Sequence, residues 1–147
     1  MRILIIEDDF TWFDLLRTDL EGRYKGVEIE RIATESELAS RIVGIDLQGY
    51  DIALIDLIIR FDSPPAIGIE QADRRPSNYA EIGGRFMAGV RCAQRLREEG
   101  LLCPVILYSA SARPSALDSS SLSDITFLKK DQVDRWFQKI NELVAKP

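Results

Sequence analysis

A doubly wound α/β fold, a three-layer arrangement around a five-stranded parallel sheet, is predicted by three features of the sequence. Short runs apolar on both faces, such as Ile52-Ala53-Leu54-Ile55, read as strands buried on both sides, the pattern of a parallel sheet. Stretches with helical spacing alternate with these runs five times, which asks for helices on both faces. The third feature is punctuation, since Gly49, Gly100 and Pro104 stand where helical pattern gives way to strand pattern.

Residues 3 to 6 form the first strand, and Glu7, Asp8 and Asp9 crowd its end. Trp12, Leu15, Leu16 and Leu20 give a helix from about Thr11 to Arg23, stopped by Gly22 and Gly26. Val27 to Ala33 alternates loosely with charges, as a strand nearer an edge does. Thr34-Glu35-Ser36-Glu37 is a capping box that opens a helix through about Val43. Tyr50 to Leu57 is the central strand, and it delivers Asp56 at its far end.

Beyond Asp56 the pattern breaks from about residue 60 to 84, a loop long for a compact domain and therefore functional or partly disordered. Arg85 to Glu99 reads as a helix with Phe86, Val90, Ala93 and Leu96 inward. Val105 to Ala110 is another buried strand. Residues 111 to 124 are serine-rich, so any helix there should be weak. Ile125 to Leu128 is a last strand leading into Lys129 and Lys130. Asp131 to Lys146 is an amphipathic helix, inward on Val133, Trp136, Phe137, Ile140 and Leu143. One domain, 1–147, accounts for the chain.

The chain has 147 residues, 46% hydrophobic and 29% charged, with a net charge of −5 that offers no whole-chain argument for nucleic acid. Cys92 and Cys103 lack metal-ligand spacing and read as reduced thiols of a cytoplasmic protein. No run is long enough to cross a bilayer, and the N-terminus turns acidic too soon for a signal peptide. There is no histidine, so imidazole bases, His-ligated metals and phosphohistidine on this chain are excluded.

Ligands of open α/β sheets bind beyond the carboxyl ends of the strands. Four of the five strands end in polar or ionisable groups: Glu7-Asp8-Asp9, Asp56, Ser109 and Lys130. Carboxylates brought together repel unless a cation or proton offsets them. With hard oxygen donors and neither His nor paired Cys, the expected cation is Mg2+, with Mn2+ as the alternative. A carboxylate nucleophile with a divalent ion, a lysine and a hydroxyl suits phosphoryl transfer. Taken singly the groups have plainer readings. Asp56 could cap a turn, Glu7 and Asp8 could be helix-N-terminal acids, Ser109 could be a turn hydroxyl, and Phe127 could be core.

Together these motifs resemble the receiver domains of two-component response regulators, over nearly the whole chain. Ile3 to Asp9 is similar to the first-strand motif whose acidic pair binds magnesium, and the pair falls on Glu7 and Asp8. Tyr50 to Leu57 resembles the strand ending in the phosphoaccepting aspartate, here Asp56. Ile58 matches the position whose backbone carbonyl completes the metal site. Met87-Ala88-Gly89 and Leu96-Arg97 resemble landmarks of the third helix. Ser109 matches the switch hydroxyl and Ala110 its small neighbour. Lys130 matches the characteristic lysine, and Phe127 the switch aromatic. The resemblance implies the flavodoxin-like strand order 2-1-3-4-5.

It also implies a phosphoacceptor rather than an enzyme, with slow Mg-dependent autodephosphorylation. Its partners would be a histidine kinase or histidine phosphotransfer protein and a downstream protein, with neither nucleic acid nor membrane contacted directly. The surface of the fourth helix, fifth strand and fifth helix would carry the signal and could pair two copies. No DNA-binding or catalytic output domain follows Lys146 in this sequence, so if the chain is complete the expected output is another protein.

Two departures stand out. The connection from Asp56 to Gly89 is roughly 25 residues longer than the resemblance implies. Asp131 stands where a proline with a cis bond usually follows the lysine, and a non-proline cis bond costs about 3 kcal/mol, so a trans bond could re-aim Lys130. The insert brings Arg60, Arg74, Arg75 and Arg85 to the site's edge, either as a lid or as a solvated loop. Other readings are a pseudo-receiver that binds protein without being phosphorylated, and a haloacid-dehalogenase-type phosphohydrolase. The latter needs an acid where Ile58 stands.

Overall fold

Five short strands, the three central ones too apolar to face water, assemble side by side and in parallel. They are β1 (Arg2–Ile6), β2 (Glu28–Ile32), β3 (Ile52–Asp56), β4 (Val105–Ser109) and β5 (Thr126–Lys129), in the order β2-β1-β3-β4-β5. The computed structural model describes residues 1–63, 67–68, 72–118 and 122–145. β2, the strand richest in charge, lies at an edge, where one side chain in two can reach solvent.

The helices are α1 (Phe10–Arg23), α2 (Glu35–Arg41), α3 (Ala88–Glu98) and α4 (Val133–Val144). Strand alternation sends Leu4, Ile6, Ala53, Ile55, Val105 and Leu107 to one face, against Leu38 of α2 and Val90, Ala93 and Leu96 of α3. Ile3, Ile5, Ile52, Leu54, Ile106 and Tyr108 go to the other, against Phe13, Leu16 and Leu20 of α1 and Trp136, Phe137 and Ile140 of α4. The sheet is thus covered on both faces, as its composition required.

The caps follow local chemistry. Asp9 accepts the Trp12 amide at 3.1 Å, and Thr34 accepts the Glu37 amide at 3.1 Å. Glu37 reaches back to the Ala33 amide at 2.8 Å, one residue before the position the capping box implies.

Several sequence expectations shift. α1 runs through Gly22, and the turn falls at Gly26, whose φ of +71° suits glycine. Leu15 is 58% exposed, because the buried stripe of α1 is Phe13, Leu16 and Leu20 and Leu15 lies off that stripe. Phe86 is 66% exposed for a different reason. Gly83 and Gly84 take positive φ, and Gly84–Met87 winds as a 3-10 turn whose tighter pitch rotates Phe86 off the α3 stripe. α2 stops at Arg41 and continues as a 3-10 turn over Ile42–Gly44.

The expected fourth helix is reduced, among the described residues, to a 3-10 turn at Ser115–Asp118. Pro114 and the serines that compete for backbone hydrogen bonds explain why. Of the expected inward face of α4, the Val133 side chain lies outside the described residues. Cys92 is buried and Cys103 half-buried, both free thiols; burial pushes the Cys103 thiol up to about 11 and the Cys92 thiol higher. No helix among the described residues is long and apolar enough to cross a membrane.

Candidate phosphoacceptor and metal site

The acidic turn after β1 is held from three sides. The Glu7 amide extends the ladder to the Ile32 carbonyl at 3.0 Å. Arg31, from β2, donates to the Glu7 carbonyl at 3.0 Å and the Asp8 carbonyl at 3.3 Å, with its guanidinium over Phe13 and Phe10. The Asp9 amide donates to Glu7 Oε1 at 2.9 Å. Glu7 is wholly buried, and the Asp8 side chain is 12% exposed.

β3 brings Asp56 to the same rim. It is 4% exposed, lies in register with Tyr108 of β4, and its Oδ1 accepts the Ile58 amide at 3.2 Å. The ladder of β4 with β5 continues past Lys129 through a bond from the Lys130 amide to the Ser109 carbonyl, at 3.0 Å. That bond fixes the backbone from which the Lys130 ammonium reaches Asp56 Oδ2 at 2.7 Å and Glu7 Oε2 at 3.2 Å. The Lys130–Asp131 bond is trans, for no cis peptide occurs among the described residues, and Lys130 still faces Asp56.

One carboxylate oxygen from each of Glu7, Asp8 and Asp56 lies within 4.8 Å of the others. Burial, and after it the charge of Asp56, raises Glu7 to about 7 despite Lys130. Burial also raises Asp56, against the hydrogen bond and charge of Lys130. For Lys130 burial disfavours the charge, but Asp56 and Glu7 outweigh it and its pKa is raised. Three hard oxygen donors whose negative charge Lys130 and, at the rim, Arg60 only partly offset are what a small divalent cation needs, so the residues fit Mg2+ or Mn2+. Glu7, Asp8 and Asp56 are the side chains that could hold it.

Ser109 is wholly buried, and its Oγ accepts the Ser111 amide at 3.0 Å. Phe127 is half-buried and packs against the core on the α2–α3 side. Of the four arginines expected at the site's edge, Arg60 alone is paired with an acid of the cluster, its Nε lying 3.2 Å from Asp8 Oδ2. Arg74 pairs with Asp62, Arg75 pairs with Asp73, and Arg85 faces solvent.

Tyr108 is a member of the site that sequence reasoning missed. Its buried hydroxyl donates to Glu7 Oε2 at 3.0 Å, and its ring lies 5.4 Å from the Lys130 ammonium. Inside an apolar run it reads as core, and only the register of β4 against β3 reveals its reach. Tyr108→Phe leaves a buried carboxylate one donor short and should cost about 2 kcal/mol in urea unfolding.

Solved structures with this topology span essentially the whole chain. A two-component response regulator from Clostridium difficile aligns with a TM-score of 0.67 at 17% identity, covering 99% of this chain and 97% of its own. The signal receiver domain of a DNA binding response regulator from Colwellia psychrerythraea gives 0.65 at 17%, covering 99% of both chains. The chain has the receiver fold. A Francisella response regulator receiver domain adds a third example, at 0.61 and 18% identity, over 97% of this chain and 95% of its own. No protein-family model matches the sequence, and no curated protein matches it. Identities this low speak for the receiver fold alone, so what the strand-end residues do rests on their chemistry.

Proposed function

We propose that this chain is a phosphoacceptor switch of a two-component phosphorelay, taking a phosphoryl group on Asp56 and passing the signal by protein–protein contact. The observation that carries this reading is the convergence of Lys130 on Asp56 and Glu7, with Asp8 in the same cluster of oxygens. A structural ion pair needs one acid and one base. Three acids around two cations, Lys130 in the pocket and Arg60 at its rim, leave negative charge to be met from outside.

A carboxylate oxygen of Asp56 attacks the phosphorus of a phosphohistidine on a partner kinase or phosphotransfer protein. The P–N bond breaks and its electrons return to the departing imidazole, leaving an acyl phosphate on Asp56. A divalent cation held by Glu7, Asp8, Asp56 and the Ile58 carbonyl would supply neutralisation of the charge on the transferring group. Lys130 follows the negative charge from the carboxylate to a phosphoryl oxygen. Ser109 turns from the Ser111 amide to donate to another oxygen, and Phe127 moves inward behind it, giving two states biased by one new charge. The acyl phosphate then hydrolyses slowly. With the expected fourth helix reduced to a turn among the described residues, the readout surface is made by β5 and α4 with that turn.

The test is titration with beryllofluoride and magnesium, read by tryptophan fluorescence, because the Trp12 ring lies 5.0 Å from the Lys130 ammonium. A saturable change lost in Asp56→Asn, together with an acid-labile phosphoryl label on Asp56 from a phosphohistidine donor, is expected. A protein silent in both would instead be a pseudo-receiver, a binding module that is never phosphorylated.

A further inference from the structure

Arg60 stands on the acidic pocket in an unusual way. Its backbone amide donates to Asp8 Oδ2 at 3.2 Å, and its guanidinium Nε lies 3.2 Å from the same oxygen. Asp8 is 12% exposed while Arg60 is 51% exposed, so the acid is fixed in the protein and the arginine reaches in from the rim. Two cations, Lys130 and Arg60, therefore share three carboxylates.

The segment that carries Arg60 is also the first footing of the insert. The Glu35 amide donates to the Arg60 carbonyl at 3.1 Å, and the Ser36 amide to the Phe61 carbonyl at 2.8 Å, which seats residues 60 and 61 on the start of α2. Phe61 then stacks edge-on against Tyr79 of the insert at 5.6 Å. Arg91 of α3 grips the far end through the Ile82 and Gly84 carbonyls while pairing with Glu35. Asp8, Arg60, α2 and the insert form one chain of contacts.

We propose that Arg60 is a built-in counter-cation of the pocket, competing with the divalent metal for Asp8, so that metal binding loosens the footing of the insert on α2. The inference rests on the metal-binding reading above. The backbone amide alone suffices to orient Asp8, so the guanidinium contributes mainly positive charge. A positive charge beside a divalent site opposes metal binding. Once the metal takes Asp8, the Arg60 guanidinium and the Arg60 amide both lose their shared partner oxygen, and the bond from the Glu35 amide to the Arg60 carbonyl loses the anchor that kept it closed.

Magnesium titration of the wild-type chain, Arg60→Gln and Arg60→Lys by calorimetry tests the competition, and amide hydrogen exchange at Glu35 and Ser36 tests the coupling. Arg60→Gln should bind Mg2+ about threefold to tenfold more tightly, while Arg60→Lys, which keeps the charge, should stay near wild type. Exchange at Glu35 and Ser36 should rise with Mg2+ in the wild type and should already be raised without it in Arg60→Gln. Weaker affinity in Arg60→Gln overturns the proposal and makes Arg60 an orienting partner of Asp8. Tighter binding with magnesium-independent exchange in the wild type overturns the coupling. A wild-type chain that binds no Mg2+ at millimolar concentration removes the metal reading and this proposal together. Binding that persists with Arg60→Gln unchanged removes only the latter.

Discussion

Replacing Gly89 by alanine is expected to destabilise the protein by about 3 kcal/mol or more, lowering the melting temperature by roughly 10 °C. Gly89 lies in the first turn of α3, where its amide donates to the Leu57 carbonyl at 2.9 Å. A β-carbon there would come within 2.7 Å of the Leu57 Cα, and closer still to the carbonyl oxygen of Asp56. Both obstacles are backbone, so no rotamer change relieves them. Either α3 lifts away from β3 or the end of β3 moves, and that end carries Asp56 and the Ile58 amide bonded to it. Whatever fraction of Gly89→Ala remains folded should therefore bind Mg2+ more weakly, by calorimetry, than its stability loss alone accounts for. Gly22 is the control. It sits within α1 with no positive φ, and an added methyl group would meet no heavy atom within 4 Å, so Gly22→Ala should stabilise by about 0.5–1 kcal/mol.

The difference between those two glycines shows what can be read in the sequence. Met87-Ala88-Gly89 is legible as the opening of the third helix, but not that its glycine leaves no room for a β-carbon beside the Asp56 carbonyl. Strand ends are legible because a strand buried on both faces must be apolar, so a carboxylate or lysine at its limit is conspicuous. Glu7, Asp8, Asp56 and Lys130 can be placed on one rim from that pattern, and the structure puts them within bonding or coordinating distance. Groups that act across the sheet are hidden. Tyr108 belongs to an apolar run, and its hydroxyl matters only because β4 is in register with β3. Arg31 reads as edge-strand charge, whereas its guanidinium lies on two carbonyls of the acidic turn. Leu15 and Phe86 are misplaced by spacing for want of one angle each, the phase of α1 and the pitch of the turn before α3. Phe127 sits half-buried, which suits core and switch equally.

Without a divalent cation, stability is expected to fall as pH rises from about 5 to about 7.5. The sign follows from Glu7. Its carboxyl ordinarily titrates near 4.5, and burial with the neighbouring Asp56 raises it to about 7 in the folded chain. Between those values the native state holds a proton that the unfolded chain has released, so raising the pH favours unfolding. Asp56, raised by burial, acts in the same direction. Saturating Mg2+ should reverse the trend, because a ligand bound by the folded state at about a hundred times its Kd adds about 2.7 kcal/mol. The melting temperature should therefore rise with Mg2+ by several degrees at pH 7.5 and scarcely at pH 5, where protons compete for the same oxygens. Glu7→Gln removes the raised acid, flattening the pH slope of the metal-free protein and weakening the magnesium response. Lys130→Met should do the opposite to the slope, since it leaves Asp56 and Glu7 facing each other without the ammonium now 2.7 and 3.2 Å away. It should be most destabilised at high pH, and added Mg2+ should restore a larger share of its stability than in the wild type. A melting temperature of Lys130→Met as flat with pH as that of Glu7→Gln would mean that the carboxylates do not share one field, and the phosphoacceptor reading of the rim would fall with it.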